Sequence, residues 1–154
     1  MKSYSFFIAG IIQGSIPDGV HAQDYRRRLK EIIEHSLPGS RAYCPFENHP
    51  QSLNYDDEKA RRVFFDHVEM VANSDCLVTF IPEASMGTAV EMYVARESGR
   101  PVITISPLLS NWTVKFLSDK VFADLDQFEQ FAASGQLASF LEAFFNRSEP
   151  RAQS

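Results

Sequence analysis

The sequence lacks any apolar run approaching the roughly 20 residues that span a membrane. Its longer hydrophobic stretches are strand-sized. Cysteine is scarce: Cys44 and Cys76 have no spacing suited to a metal site or a disulfide framework, and Cys76, opening an apolar run, reads as a small buried residue. His21, His35 and His49 share no ligand-like spacing, so no metal is expected. Gly10 and Gly14 lack the dinucleotide-fingerprint spacing, and no Walker pattern with its lysine occurs, which excludes two common ways of holding nucleotide phosphates. Positive charge is not in excess. Fifteen Lys and Arg against 20 Asp and Glu leave a formal charge of -5, which excludes a general basic field for a nucleic acid polymer. The one basic run, Arg26-Arg27-Arg28 with Lys30, is offset by Glu31 and Glu34 and reads as a solvated helix face. Residues 6–12 with Val20-His21-Ala22 imitate a leader peptide and its cleavage site. Only Lys2 charges the start, however, and Gln13 follows at once, so the reading is a strand in a cytoplasmic protein.

What is present is apolar mass: 44% hydrophobic residues, 13 of them Phe, with only 23% charged. That composition suits one folded domain over residues 1–146 followed by a frayed tail, 147–154. Residues 5–12 form a continuous apolar run, as expected of a strand buried on both faces. After turn-like residues 15–19, helical spacing through Tyr25, Leu29, Ile32 and Ile33 predicts a helix over 22–35. A short strand follows at 41–44. Residues 45–55, with two prolines and three amide side chains, predict an irregular loop of a length usually kept for function, bordering the site. Asp56 or Asp57 caps a helix to about Asn73, with Ala60, Val63, Phe64, Val68, Met70 and Val71 on one arc. Strands at 76–81, 102–105 and 121–122, and helices from Ser85 to Ser98, 112–117, 125–132 and 136–145, complete the chain. Alternation of this kind implies parallel βαβ units: an α/β, doubly wound, five-stranded parallel sheet with helices on both faces.

In such a sheet, ligands bind beyond the carboxyl ends of the strands, where the strand order reverses. The loops at 10–15, 82–88 and 106–111 should meet there. On a helical wheel Glu91 falls opposite Arg96 and Glu97, among Gly87, Val94, Ala95 and Ser98, so a carboxylate points inward. Two readings are open: a carboxylate satisfied by core donors or the rim, or a nucleophile facing a polar pocket. Ser85 and Gly87 stand at the same helix start, where Ser85 is either only an N-cap or part of an anion cradle. His67 lies within the apolar arc and Asp66 on its flank; either His67 is a satisfied core residue, or one of the pair handles a proton.

These residues resemble the nucleoside 2-deoxyribosyltransferase superfamily, which includes 2'-deoxynucleoside 5'-monophosphate N-glycosidases. The resemblance runs from Phe6 to about Pro107, through Phe7-Ile8-Ala9-Gly10, Ser74-Asp75-Cys76-Leu77-Val78, the block Ser85-Met86-Gly87-Thr88-Ala89-Val90-Glu91, and Gly99-Arg100-Pro101. It implies a flavodoxin-like domain, no cofactor, and Glu91 as a nucleophile that displaces the base and forms a glycosyl-enzyme. Ser85, where transferases tend to carry aspartate, tilts the resemblance toward nucleotide hydrolysis. Phe7 stands where many members have tyrosine, and His67 where they have the helix aspartate, with Asp66 beside it. The resemblance further implies a homodimer or larger, with Ser110 and Asn111 the candidates for a residue lent to the neighbouring subunit's site. Two other classes compete: a non-catalytic nucleotide sensor on the same fold, and an interaction module built on Trp112, Phe116, Phe128, Phe131, Phe140, Phe144 and Phe145. Those aromatics read as core and subunit contacts rather than base-stacking platforms.

Overall fold

The structure, a computed structural model, describes residues 2–12 and 23–147. Gly14, the expected turn at 15–19 and the tail from 148 lie outside the described residues. Five strands occur among those described: β1 (Ser5–Gly10), β2 (Arg41–Tyr43), β3 (Cys76–Phe80), β4 (Val102–Ile105) and β5 (Lys120–Phe122). All pair in parallel, in the order β2-β1-β3-β4-β5, with Phe7 opposite Leu77 and Leu77 opposite Val102. The sheet is therefore the doubly wound α/β arrangement expected. Its strand order reverses between β1 and β3, which sets the ligand crevice at their carboxyl ends.

Helices cover both faces. On one side α1 (Asp24–Ser36), α6 (Leu125–Ala133) and α7 (Gln136–Phe145) pack Leu29, Ile33, Phe128 and Leu141 onto Phe6, Ile8, Val78 and Ile103. On the other, α3 (Asp57–Asn73), α4 (Met86–Glu97) and α5 (Trp112–Leu117) bring Val71, Met92, Ala95 and Val114 against Phe7, Ala9, Leu77 and Val102. Alternate residues of β1 thus feed opposite layers, which is why the whole run is apolar. No described helix is long and apolar enough to cross a membrane.

The structure differs from the sequence-based expectation in three places. Residues 45–55 are not irregular throughout: Pro45 at the first helical position starts a single turn, α2 (Pro45–Asn48), and a 3-10 turn follows at Ser52–Asn54. The apolar arc of α3 is only partly covered: Val71 is buried and Val63, Val68 and Met70 are half-buried, while Ala60 and Phe64 are exposed. And Arg26 does not belong to a solvated face. It is 2% exposed, because α1 lies flat on the sheet and turns Arg26, next to the buried Tyr25, under the end of β1.

Candidate functional site

Two loops shape the crevice. After β3, the chain turns into α4 through Ser85, whose hydroxyl accepts the Thr88 N–H at 3.3 Å and donates to Thr88 Oγ1 at 3.0 Å. This caps the helix, whose first-turn residues Met86 and Gly87 line the crevice. After β4, buried Ser106 donates to the Ile81 carbonyl at 2.6 Å and accepts the Leu108 N–H at 3.1 Å, tying the two loops together.

Between β1, α1, α3 and α4 lies a cavity of about 310 Å³. Ala9 and Gly10 from β1, Arg26 from α1, Pro45, His67 and Val68, and Ser85, Gly87 and Glu91 from α4 line it. Gly10 is there for steric reasons: a Cβ would sit 2.9 Å from the Phe80 carbonyl oxygen and collide with the Tyr25 hydroxyl. The half-buried Glu91 carboxyl has its pKa pushed up to about 7 by desolvation, against the opposing pull of the Arg26 guanidinium. At neutral pH it is divided between acid and carboxylate.

His67 stands at the α3 side, its Nε2 3.1 Å from the Tyr43 hydroxyl. Its ring meets Phe7, Tyr43 and His49 edge-on at 5.8, 5.7 and 5.2 Å. Burial first, then the charges of His49 and Arg26, lower its pKa, with Asp66 opposing. His67 is therefore neutral at pH 7. The segment at 45–55 does border this group, since His49 Nδ1 lies 3.0 Å from the Tyr55 hydroxyl while its ring packs on His67.

Of the residues singled out from sequence, the structure gathers Glu91, His67, Ser85, Gly87 and Gly10 around one cavity. Asp66 is exposed and does not line it. Phe7 is fully buried beneath it, as a support for His67. Asn111 lines a neighbouring cavity of about 360 Å³ with Ser85, Met86 and Leu108 and caps α5, accepting the Thr113 and Val114 N–H groups at 3.0 and 3.3 Å. Ser110 is exposed just before it. Arg26 and Tyr43 are the additions. Nothing in the local sequence distinguishes Arg26 from the neighbouring Arg27 and Arg28 except the helical phase of Tyr25 and Leu29, which places it toward the sheet.

The sequence profile of the nucleoside 2-deoxyribosyltransferase family matches residues 8–119. The chain belongs to that family. No curated protein sequence matches it. Among solved structures, the 2-deoxyribosyltransferase of the psychrotolerant bacterium Bacillus psychrosaccharolyticus is similar over 81% of this chain and 90% of its own, at 17% identity and a TM-score of 0.61. A conserved protein from Enterococcus faecalis V583 is similar over 95% of this chain and 99% of its own, at 19% identity and a TM-score of 0.52. These likenesses show a shared fold. The family match takes in Gly10, Arg26, His67 and the block from Ser85 to Glu91, so the cavity lies within the matched region.

Proposed function

We propose that the protein cleaves or transfers at the N-glycosidic bond of a nucleoside or nucleoside 5'-monophosphate, with Glu91 as nucleophile. The observation that carries this reading is the placement of Glu91: a half-buried carboxyl in a family member's crevice, one turn inside the capped N-terminus of α4. Family membership supports nucleoside deoxyribosyl transfer or N-glycosidic cleavage as the general class. The ionised carboxylate attacks the anomeric carbon, the C–N bond breaks, and the base leaves with the bonding pair. A glycosyl ester on Glu91 results, which water or a second base resolves. His67, neutral and facing the same cavity, accepts the proton of that incoming water or base. Ser85 and the Gly87 amide receive the anionic end of a 5'-monophosphate. Asp66, exposed and outside the cavity, takes no part in this step.

Support for a shared site comes from the uncovered apolar side of α3, α4 and α5. Phe65, Met86, Tyr93 and Trp112 are 57%, 87%, 56% and 77% exposed, a concentration that soluble monomers avoid. We infer that a second copy covers it and that Ser110 and Asn111, on the same rim, approach the neighbour's crevice. The test of the activity is free-base release from a panel of ribo- and deoxyribonucleosides and their 5'-monophosphates, wild type beside Glu91→Gln. Release by the wild type alone fits the proposal and names the substrate class. Binding without release from any member of the panel replaces it with the sensor reading, which the Phe7 and His67 departures favour.

A further inference from the structure

Arg26 lines the cavity that holds Glu91 although its side chain is almost wholly removed from solvent. A buried guanidinium needs its donors satisfied, and the end of β1 satisfies them. Nη1 donates to the Ile8 carbonyl at 3.2 Å and Nη2 to the Gly10 carbonyl at 3.0 Å, while Nε donates to the Gln23 amide oxygen at 2.5 Å. Nη1 also lies 3.9 Å from Cys44 Sγ. Carbonyl and amide oxygens occupy donors without cancelling the charge, so a clamped positive charge faces the cavity. Among the described ion pairs none joins Arg26 to Glu91, so the two groups face the same cavity without a direct contact pair.

We propose that Arg26 is a positioning residue, a guanidinium clamped to the carboxyl end of β1 that supplies the fixed counter-charge for Glu91 across the cavity and holds Ala9 and Gly10 opposite it. This rests on Glu91 being the nucleophile. Among the described residues, Tyr25 on α1 is the other titratable group coupled to Glu91, and His67 on α3 lines the same cavity. Burial pushes the Tyr25 phenol up to about 12 and His67 below its ordinary value, so both are neutral at pH 7 and Arg26 is the charge that acts. A counter-charge at a distance favours the attacking form without engaging the oxygen that must attack, whereas a direct bidentate pair would occupy it. Glycosyl transfer to the carboxylate removes its negative charge, and clamping keeps the guanidinium from following the carboxylate or entering the substrate's place.

The test is the titration of the Glu91 side-chain carbon by NMR in protein with labelled glutamate, its signal assigned by loss in Glu91→Gln. Arg26→Gln should move the midpoint upward by about one pH unit, and Arg26→Lys, which keeps the charge, should leave it close to wild type. The acid limb of kcat/KM should move with the midpoint. A folded Arg26→Gln with an unmoved midpoint overturns the proposal, as does a lysine variant displaced as far as the glutamine one. If Arg26→Gln does not fold, citrulline at the same position gives a neutral group of the same shape that keeps N–H donors for Ile8 and Gly10, and is read by the same two outcomes. The titration needs no turnover, so the two failures separate. Base release that survives Glu91→Gln removes the nucleophile reading whatever the titration does; an unmoved midpoint beside an inactive Glu91→Gln removes only the role of Arg26.

Discussion

A carboxyl group whose folded pKa is about 7, against about 4.5 when unfolded, couples chemistry to stability at a single residue. The folded state holds its proton over a range where the unfolded chain has lost it, so the stabilisation present below pH 4.5 is lost as pH rises through 7. The difference amounts to about 3 kcal/mol. Glu91→Gln should therefore match wild type in denaturant unfolding at pH 4 and exceed it by roughly that amount at pH 8; equal stability at both would mean that Glu91 is not desolvated. For turnover the sign is opposite, because only the carboxylate attacks: kcat/KM should rise through about pH 7. His67→Phe keeps the ring packing against Phe7 and Tyr43 and removes the proton acceptor, and should slow turnover by about 10²-fold or more; an unchanged rate in a kinetic assay would leave His67 as packing only. Glu91 was legible because one helical period places it opposite Arg96 and Glu97. Arg26 was not, because a cation held by the carbonyls of Ile8 and Gly10 has no local signature and sits in what reads as a solvated charge run.

Among the elements, those with both a cap and a stop were read closely. α4 begins after Ser85 and ends before Gly99, whose φ of 69° only glycine takes without strain; β4, α5 and α7 carry the bounds expected of them. Residues 45–55 were harder, since their prolines fit an irregular loop as well as a helix start, and Pro45 made the latter. The arc of α3 obeyed the period while being only partly buried, because periodicity reports that a face is apolar and not what covers it. The close approach at the end of β1 gives an element-scale expectation. Gly10→Ala should cost about 1–3 kcal/mol in chemical denaturation, since the new methyl meets the Phe80 carbonyl and the Tyr25 hydroxyl. No loss would mean that Tyr25 moves freely, contrary to its ring stacking on Phe80 at 4.3 Å.

At the scale of the molecule, the all-parallel sheet was legible because the buried runs of β1, β3 and β4 alternate with helices and leave few other ways to bury both faces. The crevice followed from that order, since β1 and β3 flank the reversal. What surrounds the single chain was not legible, because an apolar residue on a helix reads alike whether the sheet or a second copy covers it. Phe128 went to the core, while Trp112 and Phe116 stayed outside it. Sedimentation equilibrium should find a dimer or larger, and Tyr93→Glu, which puts charge on the exposed face of α4, should shift it toward monomer. A wild-type monomer at all concentrations would remove the shared-site inference and leave the Glu91 chemistry untouched.

The most direct test of the central claim is intact-mass and peptide mass spectrometry of protein quenched with acid during turnover of the best substrate from the base-release panel. A mass increase equal to one glycosyl unit, localised to the peptide containing Glu91 and absent from Glu91→Gln, is the predicted result. Turnover at full rate by Glu91→Gln, or a glycosyl adduct on another residue, would contradict it.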